Sequence, residues 1–341
     1  MKKSIRQIIQ FVLFLAAGLL LLYFAFRGIN FSEMKQHLLS AKYSWIGLSL
    51  ILAVFAHLSR ARRWSLLVEP LSHRPGFLNT FTSLMFGYLA NYAFPRIGEV
   101  TRCVALGKKE NIPVESLIGT VIVERAIDFI SMLIILVILL FARFEKFWTF
   151  FKEYIFIPIG EKLEGLVVNS WYVWAVLIFL LFAFVVVIYL YRKKLASNQI
   201  AQKITGLYHG TVTGLKSVFT MKRKWEFLFH TLIIWTSYAF MTWVIVFAMP
   251  DITGNLTFGD GIFLLVIGSL GMAAPVQAGI GAFHWIVSRG LHFVYGLDLT
   301  EGIAFATLQH ESQTLLVLLL GLLSLVYLFA GRKRREAKIQ D

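Results

Sequence analysis

The sequence predicts an all-α, polytopic membrane protein with about six full transmembrane helices and two opposed re-entrant helical elements, arranged like an inverted repeat. The first observation is composition, because 58% of the 341 residues are hydrophobic and only 15% are charged, whereas soluble domains carry about 25% charged residues. The second is the continuity of the apolar runs, several of which approach the roughly 20 residues that a spanning helix needs. The third is the position of the basic residues, which lie in the loops beside those runs.

Eight apolar regions follow one another along the chain, and their continuity argues against the short alternating segments of a membrane β-barrel. They cover residues 8–26, 44–59, 77–94, 117–142, 171–191, 227–249, 261–296 and 303–330. The first region follows a basic N-terminus, but it is too long for the apolar core of a signal peptide. We therefore expect it to be retained as the first transmembrane helix.

The net charge of +14 is distributed as in oriented membrane proteins rather than as the basic footprint of a nucleic-acid-binding domain. Basic residues concentrate at the N-terminus and in segments 60–75, 192–226 and 331–341. The positive-inside rule places these segments in the cytoplasm. We expect one integral membrane domain over 1–341 in the bacterial inner membrane, with an amphipathic segment at 192–226, a basic tail at 331–341 and both termini cytoplasmic.

Helix parity then requires two apolar regions to enter the membrane and return to the same side. Region 77–94 returns to the cytoplasm, and Pro95 and Gly98 follow it as helix breaks. Region 261–296 returns to the outside and is broken at Pro275. Broken helices in corresponding positions of two halves indicate an inverted-repeat transporter with its site near the midplane. Two ordinary proline kinks are the alternative.

The fourth apolar region carries three ionisable residues, Glu124, Arg125 and Asp128. Glu124 and Asp128 share one helix face and lie roughly 12–18 Å into the span at 1.5 Å per residue. Ionised groups at that depth must be paired or hydrated. The first break offers Arg96 and Arg102 as partners for the two acids.

Glu99, in the same break, is expected to pair with Arg125. This predicted network has two compatible interpretations. It is a structural ion-pair network that locks the re-entrant helix, or a polar cavity for an anionic headgroup in which an arginine is free to bind phosphate through two nitrogens.

Polar residues also surround the second break. Gln277, Gly279 and Gly281 precede a half-helix whose N-terminal amides would favour an anion, and glycine lets a ligand approach the backbone.

Three further ionisable residues, His284, His310 and Glu311, lie in apolar segments of the second half. We pair His284 with Glu311, and ordinary interhelical hydrogen bonding is the alternative. No metal site is expected, because no His/Glu set has ligand spacing on one helix face, and Cys103 is the only cysteine.

His57, Arg60 and Arg63 recur every three residues at the cytoplasmic end of the second apolar region. One interpretation is that they extend to the interface and anchor lipid headgroups. The other is a basic vestibule that leads phosphate headgroups to the cavity.

Residues 95–102 (Pro-Arg-Ile-Gly-Glu-Val-Thr-Arg), residues 124–128 (Glu-Arg-Ala-Ile-Asp) and a Pro/Gly break in the C-terminal third resemble the flippase-like transmembrane region of lysylphosphatidylglycerol synthases. The resemblance covers nearly the whole chain, as in stand-alone membrane proteins that resemble this region without the synthase domain. It implies handling of phospholipids or polyprenyl-phosphate lipids. The family's second break usually reads Pro-Gly-Gly-x-Gly with a glutamate soon after, whereas this sequence has Gln277 to Gly281 and then His284.

The leading hypothesis is a flippase-like lipid transporter that moves or binds an anionic phospholipid or polyprenyl-phosphate lipid across the inner membrane. Its expected substrate-binding residues are Arg96, Glu99, Arg102, Glu124, Arg125, Asp128, Gln277, Gly279, Gly281, His284, His310 and Glu311. The alternatives are a membrane transferase for a polyprenyl-phosphate lipid and a non-transporting scaffold for lipid synthesis. No enzyme activity and no cofactor are expected. The expected partners are phosphate-bearing membrane lipids and not nucleic acid, and a homo-oligomer stays open.

Overall fold

The computed structural model describes residues 2–71, 73–158, 160–161, 212, 216 and 219–340, and this part of the chain is helical throughout its regular structure. Its helices are α1 (Lys2–Phe26), α2 (Phe31–Ser40), α3 (Tyr43–Val68), α4 (Phe77–Ala93), α5 (Gly98–Glu110), α6 (Val114–Ala142), α7 (Phe144–Phe151), α8 (Lys224–Val246), α9 (Pro250–Thr253), α10 (Phe258–Ala273), α11 (Ala282–Tyr295) and α12 (Leu299–Gln340). The predicted fifth apolar region, 171–191, and most of the predicted amphipathic segment, 192–226, lie outside the described residues.

Several of these helices are long and apolar enough to cross a membrane. Four qualify singly within the described ranges: Tyr43–Leu71, Val114–Ala142, Lys224–Val246 and Leu299–Ala330. A fifth is added if Leu15–Phe26 and Phe31–Ser40, which are bent by 89°, form one span. The chain is therefore a multi-pass helical membrane protein, and the arrangement of six spans with two re-entrant elements stays a prediction.

The first break joins α4 and α5, which fold back against each other. Residues 94–97 connect the two helices, and Arg96 adopts a φ of 59° there. Gly87 and Gly98 bring the two backbones together, because a Cβ atom on Gly87 would lie 2.7 Å from the carbonyl oxygen of Gly98. The Gly98 amide donates a hydrogen bond to Asn91 Oδ1 at 2.8 Å, which fixes the start of α5.

The second break joins α10 and α11, which also pack against each other. Pro275 lies between the two helices, and Ala278, Gly279 and Gly281 have φ angles of 46°, 76° and 81°. These left-handed conformations suit glycine, and they turn the chain without a long loop.

The two breaks touch one another. Arg96 Nη2 donates a hydrogen bond to the carbonyl oxygen of Ala273, at the end of α10, at 2.6 Å. Tyr92, near the end of α4, donates its hydroxyl to Thr314 Oγ1 on α12 at 3.2 Å. The first break is thus attached to the second half of the chain at two points.

A small apolar cluster holds α3, α5 and α6 together. Trp64, Cys103, Leu117 and Val121 are buried side by side in it. The Trp64 indole donates to Thr120 Oγ1 at 3.0 Å, which fixes α3 against α6. This packing positions the charged residues that lie within about two turns of the cluster on the same three helices.

Candidate functional site

Six charged side chains meet where α3, α5 and α6 pack together, and we call them the arginine cluster. Its members are Arg60, Arg63, Arg102, Glu124, Arg125 and Asp128. Arg63, Arg102 and Glu124 have almost no exposed side-chain surface. Only Arg125 is substantially open, with 41% of its side chain exposed.

Glu124 is the centre of the arginine cluster. Its Oε1 atom lies 2.9 Å from Arg60 Nη2, 3.1 Å from Arg125 Nη2 and 3.4 Å from Arg63 Nη2. Its Oε2 atom lies 2.9 Å from Arg102 Nη2. One carboxylate therefore contacts four guanidinium groups supplied by three helices.

Asp128 extends the arginine cluster by one helical turn. Its Oδ1 atom lies 2.6 Å from Arg63 Nη2, and its Oδ2 atom lies 2.7 Å from Arg60 Nη2. Arg125 Nη2 is 3.6 Å from the same Oδ2 atom. Asp128 and Glu124, one turn apart on α6, thus both contact Arg60 and Arg63 of α3.

Helical spacing explains why these pairs form. Arg60 and Arg63 are three residues apart on α3, and Glu124 and Asp128 are four residues apart on α6, so each pair covers one turn of one face. Arg102 reaches Glu124 from α5, and its guanidinium carbon lies 4.7 Å from the ring centre of Trp64. This cation–π contact attaches Arg102 to the apolar cluster.

The arginine cluster has more positive charge than its two acids neutralise. Four arginines and two carboxylates leave a formal excess of two positive charges. Within the described part of the chain, four of their buried nitrogens lack a hydrogen-bond acceptor: Arg60 Nε, Arg63 Nε, Arg102 Nη1 and Arg125 Nε. Buried donors without acceptors cost about 1–3 kcal/mol each or more when charged. This arrangement favours an anion that supplies the missing acceptors.

A groove of about 230 Å³ opens beside the arginine cluster, between α5 and α6. Its walls are Glu99, Val100, Ile118, Val121, Ile122 and Arg125. Val100 and Ile122 are 49% and 44% exposed, so the groove opens on the apolar outer face of these helices. Glu99 Oε2 is buried there and has no hydrogen-bond partner among the described residues.

Two expected pairings differ from the structure. Arg96 does not reach the α6 acids, because its guanidinium donates to the Ala273 carbonyl across the two breaks. Arg125 pairs with Glu124 and Asp128 on its own helix instead of Glu99. Among the pairings expected between the first break and α6, only that of Arg102 with Glu124 is present.

Sequence reasoning missed two members of the arginine cluster. The sequence predicts interfacial anchors or a vestibule at Arg60 and Arg63, yet these residues are 7% and 0% exposed and make the shortest contacts with the two acids. The signal that could have found them is the matched spacing of two bases on one helix and two acids on another.

The second polar group lies behind the second break. His284 Nε2 on α11 is 3.6 Å from Glu311 Oε1 on α12, which is the pair that the sequence suggested. His310 Nδ1 lies 2.9 Å from the same oxygen, and His310 Nε2 lies 2.9 Å from the Ala278 carbonyl oxygen. The three side chains therefore form one cluster that ties α11, α12 and the break together.

The glycines of the second break face a helix. A Cβ atom on Gly281 would lie 2.5 Å from the backbone nitrogen of Leu22 and 2.9 Å from the carbonyl oxygen of Gly18, both on α1. A Cβ atom on Gly18 would in turn lie 3.3 Å from Gln277 Oε1. The close backbone approach that we expected from a ligand is made here by α1.

Taken together, the fold and the arginine cluster define a multi-pass helical membrane protein with a buried, cation-rich site at a three-helix contact. A family model described as the lysylphosphatidylglycerol synthase TM region matches residues 7–321. The chain belongs to this family, as the sequence resemblance suggested.

A UPF0104 membrane protein of Methanocaldococcus jannaschii is 26% identical to this chain over 196 residues. The match covers 57% of this chain and spans half of the relative's length. No solved structure matches the chain.

Proposed function

We propose that this protein binds an anionic lipid, either a phospholipid or a polyprenyl phosphate, and moves its headgroup across the inner membrane of a bacterial cell. The proposal rests chiefly on the arginine cluster, whose excess of two positive charges lies buried beside an apolar groove. A lipid phosphate would supply acceptor oxygens to the unpaired guanidinium nitrogens. Membership in a family named for a lipid synthase supports a lipid substrate.

In this proposal Arg125 is the residue that meets the phosphate first. It is the most exposed arginine of the cluster, and it lines the groove together with Glu99. A guanidinium binds phosphate through two parallel hydrogen bonds, which an ammonium cannot do. The lipid's acyl or prenyl chain would lie along Val100 and Ile122, and the free Glu99 oxygen would bind a cationic group or a proton.

The transport path follows from the predicted topology. The two helix–break–helix elements would enter from opposite faces, with both termini in the cytoplasm, and the headgroup would cross where the breaks meet. No covalent step is needed, so the protein would act as a transporter rather than an enzyme.

The test is transport in proteoliposomes that contain labelled phosphatidylglycerol, labelled polyprenyl phosphate or labelled phosphatidylcholine. We expect Arg125→Gln to lower headgroup translocation of an anionic lipid at least about tenfold, because a charge-assisted hydrogen bond is worth about 1.5–3 kcal/mol. Arg125→Lys keeps the charge but loses the planar guanidinium. Its translocation rate should lie between those of the parent protein and Arg125→Gln.

Arg62→Gln is the matched control. Arg62, on α3, pairs with Glu226 at 2.8 Å and does not line the groove. The Arg62→Gln variant should translocate each lipid at the same rate as the parent protein. Equal rates for the parent and Arg125→Gln with all three lipids would contradict the proposal.

A further inference from the structure

We propose that His284, His310 and Glu311 form a binding site for one divalent transition-metal ion of the zinc class. Each residue offers one ligand atom, and these three atoms lie within 4.8 Å of one another. The inference does not depend on lipid transport. The sequence predicted no metal site, because no single helix carries residues with ligand spacing. In the fold the ligands come from two helices, α11 and α12.

Two of the three distances between ligand atoms are close to those of a metal site, and the third is within 4.8 Å. Metal–nitrogen and metal–oxygen bonds of about 2.0–2.2 Å in a tetrahedral site separate neighbouring ligand atoms by about 3.3–3.5 Å. The two distances from Glu311 Oε1, 2.9 Å to His310 Nδ1 and 3.6 Å to His284 Nε2, bracket that separation. Two imidazoles and one carboxylate suit zinc, cobalt and related ions.

The contacts of His310 already resemble those of a metal ligand. Its Nε2 atom lies 2.9 Å from the Ala278 carbonyl oxygen, an acceptor, so this nitrogen carries the proton and donates. The other nitrogen, Nδ1, faces Glu311 Oε1 at 2.9 Å. Either a proton or a metal ion can bridge this nitrogen and the carboxylate. Metal-ligating histidines typically donate their other nitrogen to a carbonyl or carboxylate in this way.

The surroundings exclude water from all but one side of the cluster. His284 and His310 are 2% and 5% exposed, whereas the Glu311 side chain is 44% exposed. The rings of Phe26 and Phe283 lie 5.9 Å and 5.1 Å from the rings of His284 and His310, respectively. The open side at Glu311 leaves room for a fourth ligand, as in zinc sites with three protein ligands.

The experiment measures metal binding by the full chain. The protein is purified without a polyhistidine tag, stripped with EDTA and titrated with Co²⁺, whose visible absorption reports tetrahedral nitrogen and oxygen ligands. We expect one Co²⁺ per chain, displaced by one equivalent of Zn²⁺. His284→Ala, His310→Ala and Glu311→Gln should each weaken binding at least about 100-fold, since even the loss of an outer-shell partner costs 10–100-fold.

His292→Ala is the control, because His292 is an exposed histidine on the same helix as His284. It should bind Co²⁺ like the parent protein. Failure of the parent to bind Co²⁺ would mean that the cluster holds a proton in place of a metal, which overturns the proposal. Undiminished binding by His284→Ala and His310→Ala would also overturn it, because the metal would then lie elsewhere. Neither result bears on lipid translocation, so the two proposals fail independently.

Discussion

Glu124→Gln is expected to lower the free energy of unfolding by about 3–5 kcal/mol, because it removes one partner of a buried ion-pair network. Glutamine keeps the size of the side chain but removes the charge that contacts Arg60, Arg63, Arg102 and Arg125. The excess of positive charge in the arginine cluster then rises from two to three. Arg102 loses the carboxylate that neutralises it, although its side chain is only 2% exposed.

The single cysteine provides the measurement. Cys103 lies on α5 beside Arg102 and is fully buried, so a thiol-reactive fluorescent dye labels it only when this part of the protein opens. We expect Glu124→Gln in detergent to react at a markedly lower temperature than the parent. A melting temperature equal to that of the parent would contradict this prediction and would mean that Glu124 is not needed to stabilise the buried arginines.

Two further variants separate charge burial from general damage. Glu226→Gln removes a partly exposed acid that pairs with Arg62 at 2.8 Å, and we expect a change within about 1 kcal/mol. The double variant Arg102→Gln/Glu124→Gln restores the original charge balance. It should therefore be more stable than Glu124→Gln alone, and a double-mutant cycle gives the coupling between the two side chains.

The sequence predicted the positions of the long apolar elements better than their contacts. Region 77–94 corresponds to α4, Phe77–Ala93, because the apolar run and the following proline both mark its end. Region 44–59 fell short of α3, Tyr43–Val68, because the arginines after His57 looked like the end of a span. The helix continues because α6 supplies acids to Arg60 and Arg63. Periodicity indicates which face of a helix is polar, but it does not identify the helix opposite that face.

The same limit applies to the second break. The pattern from Gln277 to Gly281 predicted a tight approach to the backbone, and the structure has one, but α1 makes it. Nothing in the local sequence distinguishes a helix from a ligand, since both require the absence of a Cβ atom. His284 and Glu311 were paired correctly because ionisable groups in an apolar segment must find partners.

Gly98→Ala is expected to destabilise the protein by about 1–3 kcal/mol or more, because the site has no room for a Cβ atom. That atom would overlap the backbone oxygen of Gly87 and lie 2.6 Å from Asn91 Oδ1. The Gly87 oxygen belongs to the α4 backbone, so the clash is relieved only if α4 and α5 separate. Separation would also displace Glu99 and Arg102, which follow Gly98 on α5.

Gly47→Ala is the matched control for this prediction. Gly47 lies within α3, and among the described residues no atom outside its own helix lies within 4 Å of the Cβ position. We expect it to be neutral or to stabilise the protein by up to about 1 kcal/mol, since alanine favours the helix more than glycine does. The temperature at which the dye labels Cys103 measures the stability of both variants. Equal melting temperatures for Gly98→Ala and Gly47→Ala would contradict the close α4–α5 contact. The position of α5, which supplies Arg102 to the arginine cluster, would then not be fixed by that contact.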